Sequence, residues 1–222
     1  VIELKLSPPA SYPYYLPDGQ PMPHDDLTSY YSHHAKQGAY QYWPWDTANQ
    51  NNASHPKSQT HVTMSGSVVS NVQSLNTLQN VSGYTNPNWG EPWAQSYNNT
   101  LTSGGHKALD VIHFTGHHTM GPLVGDAYFL KDLIYHGAMM AQPFFLGESS
   151  RSSKGFFPTE LGFSERLIPT RKKMGIEWSV LGNVHYSRTL KDYPYLDQPG
   201  VDTLTSPPNR ADLQNTSDVG DW

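Results

Sequence analysis

Glu160 closes the run Gly155-Phe156-Phe157-Pro158-Thr159-Glu160. A carboxylate that follows two aromatic residues and a proline can sit in an aromatic-walled pocket, where it serves as nucleophile or general acid. The competing reading is a helix-entry carboxylate favoured by the macrodipole. Glu165, one residue after the candidate N-cap Ser164, fits that role better than Glu160 does. The run His113-Phe114-Thr115-Gly116-His117-His118 carries two histidines four apart, the spacing of a helical metal pair. Gly116 breaks any helix there, and His113 falls in a strand pattern. Hydrogen bonding to substrate hydroxyls or to a carboxylate is therefore the favoured role for the histidines of this run, His113, His117 and His118, with satisfied structural histidines as the alternative. Gly116 to Gly121 is not a phosphate-binding loop, because Pro122 stands where a lysine is needed.

Two further sets lie upstream. His24-Asp25-Asp26 could bind a metal, or its acids could cap a helix starting near Leu27, and capping is favoured. His33-His34 falls in the same aromatic region. Tyr40-Gln41-Tyr42-Trp43-Pro44-Trp45 offers Trp43 and Trp45 either as a sugar-stacking surface or as a structural aromatic plug.

The elements that must position these residues follow from periodicity and punctuation. Residues 1–60 read as a loop-rich aromatic segment packed over the remainder, because Pro8, Pro9, Pro13, Pro17, Pro21 and Pro23 forbid long helices. Residues 61–222 read as a β/α portion of the same single domain. Val62 to Met64 is a strand, and Val68, Val69, Val72, Leu75 and Leu78 form a helical stripe. Residues 82–106 read as a loop, and Leu109 to Phe114 as a strand. Pro122 opens a helix to about Tyr135, and Met139 to Leu146 reads as a third strand. Ser164 caps a helix ending at Gly175, bent by Pro169, and Ile176 to Leu181 is a fourth strand. Strand, helix, strand, helix implies a parallel sheet. In β/α barrels the site lies at the C-terminal ends of the strands. His117 and His118, Glu160, and Asn183 with His185 all fall at such ends.

Composition narrows the partners. Six Trp and 14 Tyr stand beside few charges, 15% of 222 residues. Rings for the C–H face of a sugar and amides for its hydroxyls suit a carbohydrate site, and a loop-rich fold with a plugged aromatic core fits equally well. With a net charge of −5 and no basic patch, no nucleic-acid partner is expected. No apolar run approaches the roughly 18 residues of a membrane span. There is no cysteine, so disulfides and thiolate metal sites are excluded. Secretion is the favoured compartment. No metal and no cofactor are expected.

Taken in order, four stretches resemble the family-57 glycoside hydrolases and the related family 119. Gly38 to Trp45 is similar to the family's Pro-Trp segment, and Leu109 to His118 with Met120-Gly-Pro-Leu123 to its strand-plus-histidine motif. Gly155 to Glu160 resembles the Gly-x-Trp-x-Pro-Glu nucleophile motif, and Gly175 to His185 the strand that follows it. The resemblance spans residues 20–190. It implies an α/β fold, an incomplete (β/α)7-type barrel, truncated and with long aromatic loops. It implies retaining action on α-glucans, by hydrolysis or transfer, with Glu160 as nucleophile. His117, His118 and His185 would line the cleavage subsite, and His24 or His33 would stand for the first motif histidine. Phe157 departs from the motif's Trp, and Thr159 splits its Pro-Glu pair. The family's acid/base aspartate lies far downstream of the nucleophile, whereas Asp197, Asp202, Asp218 and Asp221 are the acids near the end of this sequence. A fragment of a longer enzyme, completed by a further segment of the same protein, is the expectation that follows. Two other readings stay open: a metal-dependent polysaccharide deacetylase using Asp25, His113 and His117, and a non-catalytic carbohydrate-binding or structural piece.

Overall fold

The computed structural model describes residues 31–79, 81–147 and 153–182. The described residues include helices α1 (His34–Gln41) and α2 (Trp43–Ser54). His33 caps α1, its Nδ1 accepting from the Ala35 N–H at 3.3 Å. The loop expected over residues 1–60 is helical here. Pro44 lies in the first turn of α2, where its missing N–H costs nothing. The prolines that argued for loops precede residue 24, outside the described residues.

Strand β1 (Thr60–Val62) starts two residues earlier than its periodicity suggests. Helix α3 (Gly66–Leu78) follows the expected stripe, with Val69, Val72 and Leu75 fully buried. The Ser65 hydroxyl caps it by accepting from the Val68 N–H. The expected loop 82–106 contains α4 (Glu91–Asn99). Here again a proline, Pro92, sits in the opening turn, beside a dipole-compatible Glu91. Strand β2 (Leu109–Val111) leads through a short 3-10 turn at Gly121–Leu123 to α5 (Asp126–Met140).

The third strand is not Met139 to Leu146. Met139 and Met140 end α5, and residues 143–146 form turns whose Phe145 and Leu146 are buried. A short apolar run carries no period that separates strand from buried helix or loop. Strand β3 is Gly155–Phe156 instead. A 3-10 turn at Glu165–Leu167 then feeds α6 (Ile168–Lys173), with Pro169 in its first turn, and β4 is Trp178–Ser179. Ser164 precedes that turn without a side-chain capping bond.

All pairing between these strands is parallel. Thr60, His61 and Val62 of β1 pair with Leu109, Asp110 and Val111 of β2. Gly155 and Phe156 of β3 pair with Trp178 and Ser179 of β4. One parallel bridge, His113 to Phe156, joins the two pairs. The His113 N–H donates to Gly155 O at 2.8 Å, and the Phe157 N–H to His113 O at 3.0 Å. The strands thus lie side by side in chain order, β1-β2-β3-β4, with helical crossovers between them. Among the described residues they do not close into a ring, and β1 and β4 are the outer strands.

The larger core joins α3, α4 and β2 with Tyr84, Trp89 and Phe145. Phe145 stacks on Trp89 at 5.1 Å and lies 5.4 Å from Trp93. Tyr31, Tyr40, Trp45 and Ala48 belong to this same core, so the aromatic segment and the β/α part share one interior among the described residues. A smaller cluster of Phe129, Leu133, Phe156, Leu167 and Ile176 packs α5 and the α6 region on β3. Among the described residues no helix is long and apolar enough to cross a membrane.

Candidate functional site

Because β2 and β3 are parallel neighbours, the segments leaving their C-terminal ends emerge side by side. Thr115 and Thr159 tie them together: their hydroxyls lie 2.8 Å apart and both side chains are buried. Beyond this tie the chain adopts left-handed backbone at His118 (φ 56°), Glu160 (φ 53°) and Leu161 (φ 55°). Non-glycine residues rarely accept such angles, and they cluster where a structure must aim a side chain. Here the two aimed side chains meet. His118 Nε2 lies 3.4 Å from Glu160 Oε1, and both side chains remain more than half exposed. Phe114, 5.4 Å from the His118 ring, and Phe157 wall the same region. Glu160 itself occupies a 3-10 turn, Thr159–Leu161, held by the Leu161 N–H donating to Pro158 O.

His117 points elsewhere. Its Nδ1 lies 2.5 Å from Oδ1 of Asp132, which is buried on α5. Its backbone N–H donates to Asp132 Oδ2 at 3.4 Å. Its ring stacks on Tyr135 at 4.7 Å and 15°. His113 points elsewhere again. Its Nε2 contacts Ser153 O at 3.1 Å, and burial pushes its titration below the usual histidine value. His136, buried on α5 with its ring 6.2 Å from that of His113, bonds Met64 O through Nε2 at 3.0 Å. Burial first, then the neighbouring His113, lowers it to about 4. Its Nδ1 has no hydrogen-bond partner.

The i, i+4 pair His113 and His117 is therefore split between two partners by the strand extension and the turn at Gly116. Among the described residues no group of three or more His, Asp or Glu is gathered for a metal. Trp45 is absorbed by the core, its Nε1–H donating to Gln41 O at 2.9 Å. Trp43 remains 42% exposed, its indole lying over Gly38. His33 and His34 stack on each other at 4.8 Å. His24, Asp25, Asp26, Asn183, His185, Asp197, Asp202, Asp218 and Asp221 lie outside the described residues.

Sequence reasoning missed Asp132, Tyr135 and the threonine pair. A signal for Asp132 existed, since it falls on the face of α5 that carries Phe129, Leu133 and His136. A carboxylate in a buried stripe requires a partner. A groove of about 480 Å3 lies between α6 and β4, lined by Phe163, Ile168, Arg171, Ile176, Trp178 and Leu181 among others. None of its lining residues belongs to the His118–Glu160 pair, so the site is identified by its chemistry and not by concavity.

No protein-family model matches this sequence. The chain is similar to a protein named alpha-amylase from Niallia circulans, with 68% identity over all 222 residues. It spans 17% of that protein's length, and so corresponds to one segment of a much larger polypeptide.

Proposed function

We propose that this chain is the nucleophile-bearing part of a retaining α-glucan-active glycoside hydrolase or transglycosidase, built on part of a β/α barrel. The observation that carries the proposal is Glu160. It is an exposed carboxylate on strained backbone, beyond the C-terminal end of a parallel strand, with an imidazole 3.4 Å away. The name of the similar protein, alpha-amylase, supports an α-glucan as the substrate class. In this reading the four parallel strands, lying in chain order, would be consecutive strands of that barrel.

In this reading Glu160 attacks the anomeric carbon and forms a glycosyl ester. A second carboxylic acid, about 5 Å away, gives its proton to the leaving glycosidic oxygen. That group, now a carboxylate, takes the proton from water, for hydrolysis, or from an acceptor hydroxyl, for transfer, as the incoming oxygen bonds the anomeric carbon and the ester to Glu160 breaks. It is Asp197, Asp202, Asp218 or Asp221, or it is supplied by a further segment of a longer enzyme. His118, its Nε2 3.4 Å from Glu160 Oε1, is the group that orients the attacking carboxylate in this reading.

The test is Glu160→Gln, assayed on soluble starch with products separated by size. A drop of roughly three orders of magnitude or more in turnover, with an unchanged circular dichroism spectrum, is the expected result, comparable to the loss of other nucleophiles. Wild-type turnover in the variant would refute the assignment. Glycan binding without turnover in the wild-type chain would favour the reading as a carbohydrate-binding piece without its acid.

A further inference from the structure

We propose that Asp132 is a positioning residue: it holds His117 in the tautomer whose Nε2 carries a lone pair toward a substrate hydroxyl. This rests on the carbohydrate reading given above. Asp132 is 4% exposed, so its carboxylate must be satisfied by the protein. Both of its oxygens serve one residue. Oδ1 meets the His117 ring at Nδ1, 2.5 Å away, and Oδ2 accepts the His117 backbone N–H at 3.4 Å. An ionised carboxylate only accepts, so the ring nitrogen facing it carries the proton. In a neutral imidazole the other nitrogen, Nε2, is then an acceptor.

The rest of the arrangement restricts the ring to one orientation. Tyr135 lies nearly parallel to it at 4.7 Å. Gly116 allows the chain to come this close to α5. A Cβ there would stand 2.4 Å from Tyr135 Cδ1 and 2.8 Å from Asp132 Oδ1. The His117 side chain keeps 28% of its surface exposed while Nδ1 is taken, which leaves Nε2 as the nitrogen for a ligand. The next residue, His118, is the one against Glu160. In the proposed role the free Nε2 of His117 receives a hydrogen bond from a hydroxyl of the bound sugar.

Asp132→Asn distinguishes this role from packing. The amide is nearly isosteric, but its oxygen can accept the His117 backbone N–H only with its NH2 donating to Nδ1, which moves the ring proton to Nε2. Histidine 15N spectra of the wild-type chain at neutral pH are expected to show His117 protonated at Nδ1, and those of Asp132→Asn at Nε2. Binding of maltoheptaose, followed by calorimetry, is expected to weaken about tenfold in Asp132→Asn. In a His117→Ala background the same change is expected to have no further effect, because Asp132 acts only through that ring. Nε2 protonation in the wild-type chain, which needs no variant to observe, would overturn the positioning role. A tenfold loss that persists without the His117 ring would overturn it as well. Absence of maltoheptaose binding by wild-type protein that shows the expected tautomer would instead sink the carbohydrate reading, and the substrate half of this proposal with it.

Discussion

Replacing His136 with glutamine removes a titration that the fold works against. The imidazole is 1% exposed, donates through Nε2 to Met64 O at 3.0 Å, and leaves Nδ1 without a partner. Protonation would place a charge there with no acceptor, 6.2 Å from the ring of His113 and near Asp132 on the same helix. Its titration is lowered from 6.5 to about 4, so between these values the unfolded chain binds the proton and the folded chain does not. Stability is then complete above pH 6.5 and falls as pH falls towards 4. A difference of this size corresponds to ~3 kcal/mol in all, about 2 kcal/mol of it already lost at pH 5. His113, also lowered by burial, adds to the loss in the same direction. Urea unfolding at pH 7.5 and pH 5 reads the effect as a midpoint shift of about 1 M. The glutamine amide still donates to Met64 O but does not titrate, so His136→Gln is expected to lose most of the shift. Equal shifts in the two proteins would refute the buried neutral imidazole as its source, and a wild-type His136 resonance titrating near pH 6.5 would do so directly.

Two other perturbations probe the scaffold. Phe145→Ala removes the ring between Trp89 and Trp93 in the larger core, and is expected to cost about 3–5 kcal/mol in the same urea assay. A loss below 1 kcal/mol would mean that this core collapses around the gap. Gly116→Ala is expected to destabilise by about 1–3 kcal/mol through overpacking against Tyr135 and Asp132. It is also expected to weaken maltoheptaose binding, although it removes no polar group, and unchanged stability and binding would contradict the close approach of the two segments.

The sequence showed elements best where a stripe was long. Helix α3 follows from Val68 through Leu78, and the parallel strands follow from strand-helix alternation. Proline was the main source of misreading. Pro8 to Pro23 argued for loop through residue 60 and Pro92 for loop over 82–106, yet Pro44 and Pro92 each lie in the opening turn of a helix, where proline is tolerated. The run Met139 to Leu146 failed for a different reason, since a buried turn and a buried strand have the same composition. At the site, Glu160 and His118 were each picked out by residue type. Their contact was not legible, because it depends on β2 and β3 being neighbours through a single bridge at His113. A carboxylate partner for these histidines was among the favoured readings, but no local pattern names Asp132, which reaches His117 from the following helix.

The contact between Thr115 and Thr159 bears on how such a sequence can drift. Valine at one of the two positions would leave the other hydroxyl buried and unpaired, at about 1–3 kcal/mol, while valine at both would be nearly neutral. The path between two acceptable states therefore passes through a poor one. Two positions 44 residues apart are bound to change together or to stay as they are. Among diverging copies of this segment, covariation at that pair would record the adjacency of the two strands in a form that no local pattern carries.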